Sequence, residues 1–200
     1  MFLIELQYMP PVAFFQLCGQ SSAIELDQHE HYTKGSYRNR CTIAAANGPL
    51  ALSVPLQKGK HQQRPIREAR ISYDFDWQHQ HLEGIRSAYG RAPFFEHYAE
   101  GLFPLLEKRQ AYLFDFNLEL LHFLLAALQM EVGVGLSQGY APSGALSEGR
   151  DWRGHISPKK TALFVQKPYV QVFADRFGFL PNLSIIDLLF CMGPAAKSYL

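Results

Sequence analysis

The nine residues Tyr32-Thr33-Lys34-Gly35-Ser36-Tyr37-Arg38-Asn39-Arg40 compress three cations, two phenols and an amide into one short stretch. Lys34, Arg38 and Arg40 are the groups that neutralise a phosphate or carboxylate, and arginine offers a planar two-pronged donor to it. Tyr37 supplies a ring that stacks on a sugar or base, and Asn39 supplies both a donor and an acceptor. From the residues alone, an anion site and a solvated basic turn are equally good readings. A second basic stretch lies in the run 133–160, which carries Arg150, Arg153, Lys159 and Lys160 among many Gly, Ser and Pro residues. It lacks apolar periodicity and reads as one long loop, a length that compact domains keep mainly for function or leave disordered.

Histidines are the other candidates. On a strand, His29 and His31 share a face as two metal ligands do. His29-Glu30-His31 is not the spacing of a helical zinc motif, however, and no third ligand follows from it, so no metal is expected. His79 and His81 sit two apart in a helical stretch and point well apart. Glu119 and His122 read as a surface pair. Asp187 reads as part of a helix start, and Asp74 and Asp76 as capping residues rather than paired acid–base carboxylates. Neither a nucleophile elbow nor a glycine-rich phosphate or dinucleotide loop is present, so no cofactor is assigned.

The elements that must position these groups follow from local pattern. Phe2-Leu3-Ile4-Glu5-Leu6 reads as a strand, Val12–Gly19 as a helix opened by Pro10-Pro11 and stopped by Gly19, and 23–32 as extended. Asn47-Gly48 between two strand-like runs predicts a type I′ hairpin. A further strand is expected over 65–73. Asp76 caps a helix closed by Gly90, and Pro93 can start another that Gly101 and Pro104 should interrupt. Asp115 or Asn117 caps the apolar helix 118–130, whose polar positions Glu119, His122 and Gln129 form a narrow solvated stripe. A strand at 168–174 and a helix opened by Ser184 and Asp187 complete the chain. The fold class expected is α/β: a single domain over 1–200, with a small mixed sheet containing the first strand, the hairpin and the late strand, and helices packed across it.

Composition bounds the rest. The 200 residues are 48% hydrophobic and 18% charged, with a formal net charge of +1, which excludes a disordered chain and argues against a dedicated nucleic-acid binder. Glu5 interrupts the opening apolar run, so no secretory signal is expected, and no segment is long and apolar enough to span a membrane. Cys18, Cys41 and Cys191 are odd in number and widely spaced, which reads as buried, reduced cysteine in a cytoplasmic protein.

Taken in order, several pieces resemble the WbqC-like family of bacteria. Gln7, Pro10-Pro11 and Phe14-Phe15 are similar to the family's opening segment, although Leu6-Gln7-Tyr8 stands where relatives have His-Gln-Pro. Tyr32, Thr33, Lys34, Tyr37, Asn39 and Arg40 match its aromatic-Ser/Thr-Lys and aromatic-x-Asn-Arg motif. The likeness continues through Leu52-Ser-Val-Pro55, Trp77, Tyr89, Ala92-Pro93-Phe94-Phe95 and Asn117, and closes with Leu183–Phe190 and Gly193-Pro194. The longer insert with a Tyr-Leu-Ser-Gly motif, which many relatives carry after the apolar helix, is absent here. The resemblance implies an association with O-antigen and other surface-polysaccharide pathways, and aminoacyl or acyl transfer to an amino sugar.

Two functions from different classes are therefore carried forward. One is a cytoplasmic transferase acting on an anionic small molecule such as a nucleotide sugar. There Lys34, Arg38, Arg40, Arg153 and Lys159 hold the anion, Tyr37 stacks, Asn39 orients the acceptor, and His31 is the general base. The 137–160 loop, with Lys160, would close over the substrate as a lid. The other is a non-catalytic scaffold in the same pathway, docking a protein through Tyr37 and the Phe94-Phe95 pair. The two are separated by shape: the first wants the polar turn in a concavity with the basic loop above it, the second wants a flat or convex turn.

Overall fold

The structure, a computed structural model, describes residues 1–57, 64–142, 146, 149–160 and 164–200. The opening strand β1 (Phe2–Ile4) leads into helix α1 (Val12–Cys18), which returns the chain to β2 (Ala23–Leu26). β1 and β2 pair in parallel, and β5 (Gly133–Leu136) adds in parallel on the far side of β2. The register is continuous: Ile4 lies opposite Leu26, and Leu26 opposite Leu136. Residues 150–152 run along the free edge of β1, with Leu3 N–H donating to Arg150 O at 2.8 Å and Trp152 N–H to Leu3 O at 2.9 Å.

Between β2 and β5 come the hairpin β3 (Arg40–Ala45) and β4 (Gly48–Ser53), then α2 (Trp77–Tyr89), α3 (Phe95–Glu107) and α4 (Leu113–Ala127). The short α5 (Ala174–Phe177) and α6 (Ile185–Met192) follow β5. The described residues thus form a mixed α/β structure with a small sheet, a β-hairpin and six α-helices, as expected. One contiguous apolar core runs through it, with Tyr8, Phe14, Trp77, Tyr89 and Phe116 among its largest fully buried side chains.

Several local expectations need correction. The hairpin is a separate two-stranded ladder, and its two-residue turn is Ala46-Asn47. Only Gly48, paired with Ala45, takes a left-handed φ of 107°, so the turn is not type I′. The 65–73 stretch is a 3-10 turn at Ile66–Glu68 followed by isolated bridges. No strand forms among the described residues at 168–174, because the segment meets no neighbouring ladder.

Helix α3 runs unbroken through Gly101 and Pro104. Its buried face, Phe95, Tyr98, Leu102 and Leu106, holds it together, since tertiary packing outweighs local propensity. Gly101 has a packing role: a Cβ there would come within 2.6 Å of the Phe123 ring on α4. Helix α4 begins at Leu113, whose N–H donates to Ala69 O at 2.8 Å, so neither Asp115 nor Asn117 is its cap. Asp76 does cap α2, accepting from His79 N–H at 3.2 Å.

Among the described residues no helix is long and apolar enough to cross a membrane. Cys18, Cys41 and Cys191 are buried and unpaired.

Candidate functional site

Parallel strands in register end at one level, and the crevice beyond their carboxyl ends is where such sheets hold ligands. The residues one step past each strand here are Glu5, Asp27 and Ser137. Asp27 N–H donates to Ile4 O at 2.9 Å and Ser137 N–H to Leu26 O at 3.0 Å, so the ladder itself sets them in a row. Arg153 extends the row beyond β1, because Asp151 bridges Leu3 in parallel.

Glu5 and Asp27 are almost fully buried, which is costly for a carboxylate unless donors meet it. Glu5 accepts from Gln7 Nε2 at 2.9 Å and from Gly154 N–H at 2.8 Å. Asp27 accepts from Arg153 Nη1 and from His29 N–H, at 2.8 and 2.9 Å. Arg153 also donates from Nε to Asp151 Oδ1 at 2.8 Å and from Nη1 to Ala141 O at 2.7 Å. Its guanidinium therefore fastens the described end of the 137–160 loop to the sheet; residues 143–145 and 147–148 of that loop lie outside the described residues.

Behind the row, Arg38 meets Glu30 with two parallel donors, Nε to Oε1 at 2.8 Å and Nη2 to Oε2. Both residues are buried, and burial pushes the Glu30 carboxyl up to about 7 against the pull of Arg38. Asn117 Nδ2 on α4 donates to Arg38 O at 2.7 Å, and Tyr8 N–H donates to Tyr37 O at 2.9 Å. Asn39 accepts from Tyr32 Oη at 2.9 Å and donates to Val54 O at 2.8 Å.

The expected site residues thus separate into two groups. Tyr37, Arg38 and Asn39 are buried, and Arg38 and Arg153 spend their donors on carboxylates and carbonyls of the chain itself. Lys34, His31, Lys159 and Lys160 face solvent. Lys159 lies against the polar turn, where a Cβ on Gly35 would sit 3.8 Å from its Cε. Arg40 is half-buried, and its Nε has no hydrogen-bond partner among the described residues. His31, through a bridge to Pro65, reaches the wall of a pocket of about 320 Å³ beside the row. Gln28, His29, Arg67, Glu68 and Tyr140 line the same pocket. His29 and Gln28 are held in it by Ser137 O, at 3.1 and 2.8 Å from Nε2 of each.

Lys34, Tyr37, Arg38, Asn39 and Arg40 are not among that lining, so the concavity lies beside the turn rather than in it. The docking aromatics of the scaffold reading fare less well: Tyr37 and Phe95 are buried and Phe94 is packed against the core. Sequence reading missed Glu5, Asp27, Ser137 and Arg67. For Glu5 and Asp27 the available signal was the polar residue directly after a short apolar strand; Ser137 and Arg67 carried no such signal. Among the described residues no group of three or more His, Cys, Asp or Glu side chains is placed to hold a metal ion.

Two further buried polar centres lie elsewhere. Asp187 is no helix cap: its carboxylate accepts from Tyr89 Oη at 2.8 Å, Tyr169 Oη at 2.7 Å and Gln171 Nε2 at 3.1 Å. Burial nevertheless holds its carboxyl above the usual range. His81 on α2 pairs its Nδ1 with Tyr8 Oη at 2.9 Å, and burial pulls the imidazole down to about 4.

A free imidazole titrates near 6.5, so the folded state holds fewer protons at His81 than the unfolded chain below that pH. Its contribution is complete above about 6.5 and is lost as pH falls toward 4. Urea unfolding is expected to show about 3 kcal/mol more acid destabilisation over that window for the native chain than for His81→Gln. Parallel pH profiles for the two would contradict the buried, neutral assignment.

The model of the WbqC-like protein family matches residues 7–153. An uncharacterized protein of Mycobacterium tuberculosis is 26% identical over 227 aligned positions, covering 99% of this chain and 96% of that protein. No solved structure matches the chain.

Proposed function

The chain belongs to the WbqC-like protein family, and from that premise we propose that it binds an anionic small molecule at the carboxyl edge of its parallel sheet and catalyses group transfer there. The observation that carries this reading is the pocket where His31 and His29 stand beside the row Arg153, Glu5, Asp27 and Ser137, with Lys159 lying against the adjoining turn. Lys34, Lys159 and the half-buried Arg40 are the cations for a phosphate or carboxylate. Arg38 and Arg153 are positioning residues that hold the turn and the loop.

The substrate class this supports is a nucleotide-activated amino sugar, and the reaction is aminoacyl or acyl transfer in the making of surface polysaccharide by a cytoplasmic enzyme. The sugar amine forms the new bond to the acyl carbon, and the bond from that carbon to its activating group breaks. His31 takes the amine proton. Its place on an open pocket wall suits a base that must exchange protons with solvent.

A thermal-shift titration with UDP-glucosamine and related nucleotide sugars tests the reading. At roughly ten times its Kd a ligand should raise Tm by about 3–6 °C. Lys34→Ala and Lys159→Ala should reduce that rise. His31→Ala should keep it while lowering turnover by about 10²-fold or more. No shift with any phosphorylated ligand well above millimolar concentration would overturn the proposal and return the scaffold reading.

A further inference from the structure

A second cavity shares no lining residue with that pocket. It has a volume of about 940 Å³ and lies between the end of α2, the 170–176 segment and α6. Arg86 and Arg91 come from the α2 end, Asp175 and Arg176 from the opposite wall, and Cys191 from α6 lines it as well. The lining thus holds three guanidiniums to one carboxylate, together with Ala92, Val172 and Phe173.

We propose that this cleft binds an organic phosphate, a phosphate dianion carried on a ring or short apolar body, with Arg91 and Arg176 as its direct contacts. Arg91 is exposed and has no hydrogen bond or ion pair among the described residues, so its whole fork is open. Arg176 donates from Nη1 to Ala46 O at 2.6 Å, which orients the side chain and leaves its other donors for a ligand. Arg86 pairs with Glu83 and lies over the Phe103 ring at 5.4 Å, so it adds positive potential rather than a free fork. A guanidinium pair suits a dianion better than a single carboxylate, because each fork then meets its own oxygen pair. Val172 and Phe173 offer the apolar side against which a ring can lie.

The cleft is built rather than incidental. Gln171 in its wall is fixed by Asp187 and by Leu180 O, which accepts from Nε2 at 2.9 Å. On the other side Phe94 N–H donates to Phe190 O at 3.0 Å and ties the α2–α3 junction to α6. Burial pushes the Cys191 thiol up to about 12, so at neutral pH it is no nucleophile, and the role is binding alone.

Isothermal titration of the full chain with phenyl phosphate, benzoate and inorganic phosphate at about pH 7.5 tests this, since phenyl phosphate is then mostly the dianion. Phenyl phosphate should bind about tenfold or more tighter than either benzoate or inorganic phosphate. Arg91→Ala and Arg176→Ala should each weaken it about tenfold, the worth of one charge-assisted contact. Lys34→Ala and His31→Ala should leave it unchanged, which keeps this result separate from the carboxyl-edge pocket. Absence of saturation by about 10 mM, equal binding of benzoate or inorganic phosphate, or loss of binding in Lys34→Ala instead would each overturn the proposal.

Discussion

Arg38→Ala is expected to destabilise the chain by about 3–5 kcal/mol at pH 8, the cost of leaving a buried charge without its partner. Glu30 and Arg38 are both buried and meet through two parallel donors, so water cannot replace the lost guanidinium. The loss should be smaller at pH 5.5. Burial already lifts the Glu30 carboxyl to about 7, so an orphaned Glu30 takes up a proton below that pH and is no longer a buried charge. The double variant Arg38→Met with Glu30→Leu should recover much of the stability, because apolar replacement of both partners removes the charge that needs pairing. Urea unfolding of the three proteins at both pH values is the measurement. A loss below about 1 kcal/mol, or a single variant no less stable than the double, would contradict the buried pair. The contrast with Lys34→Ala matters most. An exposed lysine without a partner among the described residues should leave stability within about 0.5 kcal/mol and affect ligand binding only.

Asp187→Ala is the second large effect. Loss of a helix cap costs about 1 kcal/mol, which is what the residue's place in Ser184-Ile-Ile-Asp187 suggests. The structure instead gives its carboxylate three buried donors, from Tyr89, Tyr169 and Gln171, reaching α2 and the strap before α5. Removing it strands two phenols and an amide, and about 3–5 kcal/mol is expected. Asp187→Asn keeps the shape and one acceptor and should cost less. A loss near the cap value for the alanine variant would contradict the hub. Because Gln171 also lines the large cleft, the same substitution should loosen that wall.

The first strand, α1, the Asp76 cap and the existence of a hairpin were legible in the sequence because each rests on spacing within a few residues. β5 was not. Gly133-Val-Gly-Leu136 has two glycines and no periodicity, and it becomes a strand only because β2 offers an open edge at the matching register. The site suffered the same limit in sharper form. Glu5, Asp27, Ser137 and Arg153 are spread over most of the chain, and only the parallel ladder brings them level. The turn at 32–40 stands out by composition, but residue type does not tell an exposed cation from one already matched. Arg38 finds Glu30 eight residues away, while Lys34 faces solvent. Within the strap at 164–173 only residues 168–171 alternate as a strand does, with Tyr169 and Gln171 buried and Val170 exposed. Their buried polar groups, with that of Gln166, bond to side chains and to single backbone carbonyls and N–H groups instead of a ladder.

The measurement that bears most directly on the carboxyl-edge site is an amide-resolved NMR titration of the full chain with UDP-glucosamine. Shifts that saturate and centre on Gln28, His29, His31, Lys34, Tyr140 and Lys159 are expected. Shifts confined to Arg91, Val172 and Arg176, or no saturable shift at any amide, would contradict it.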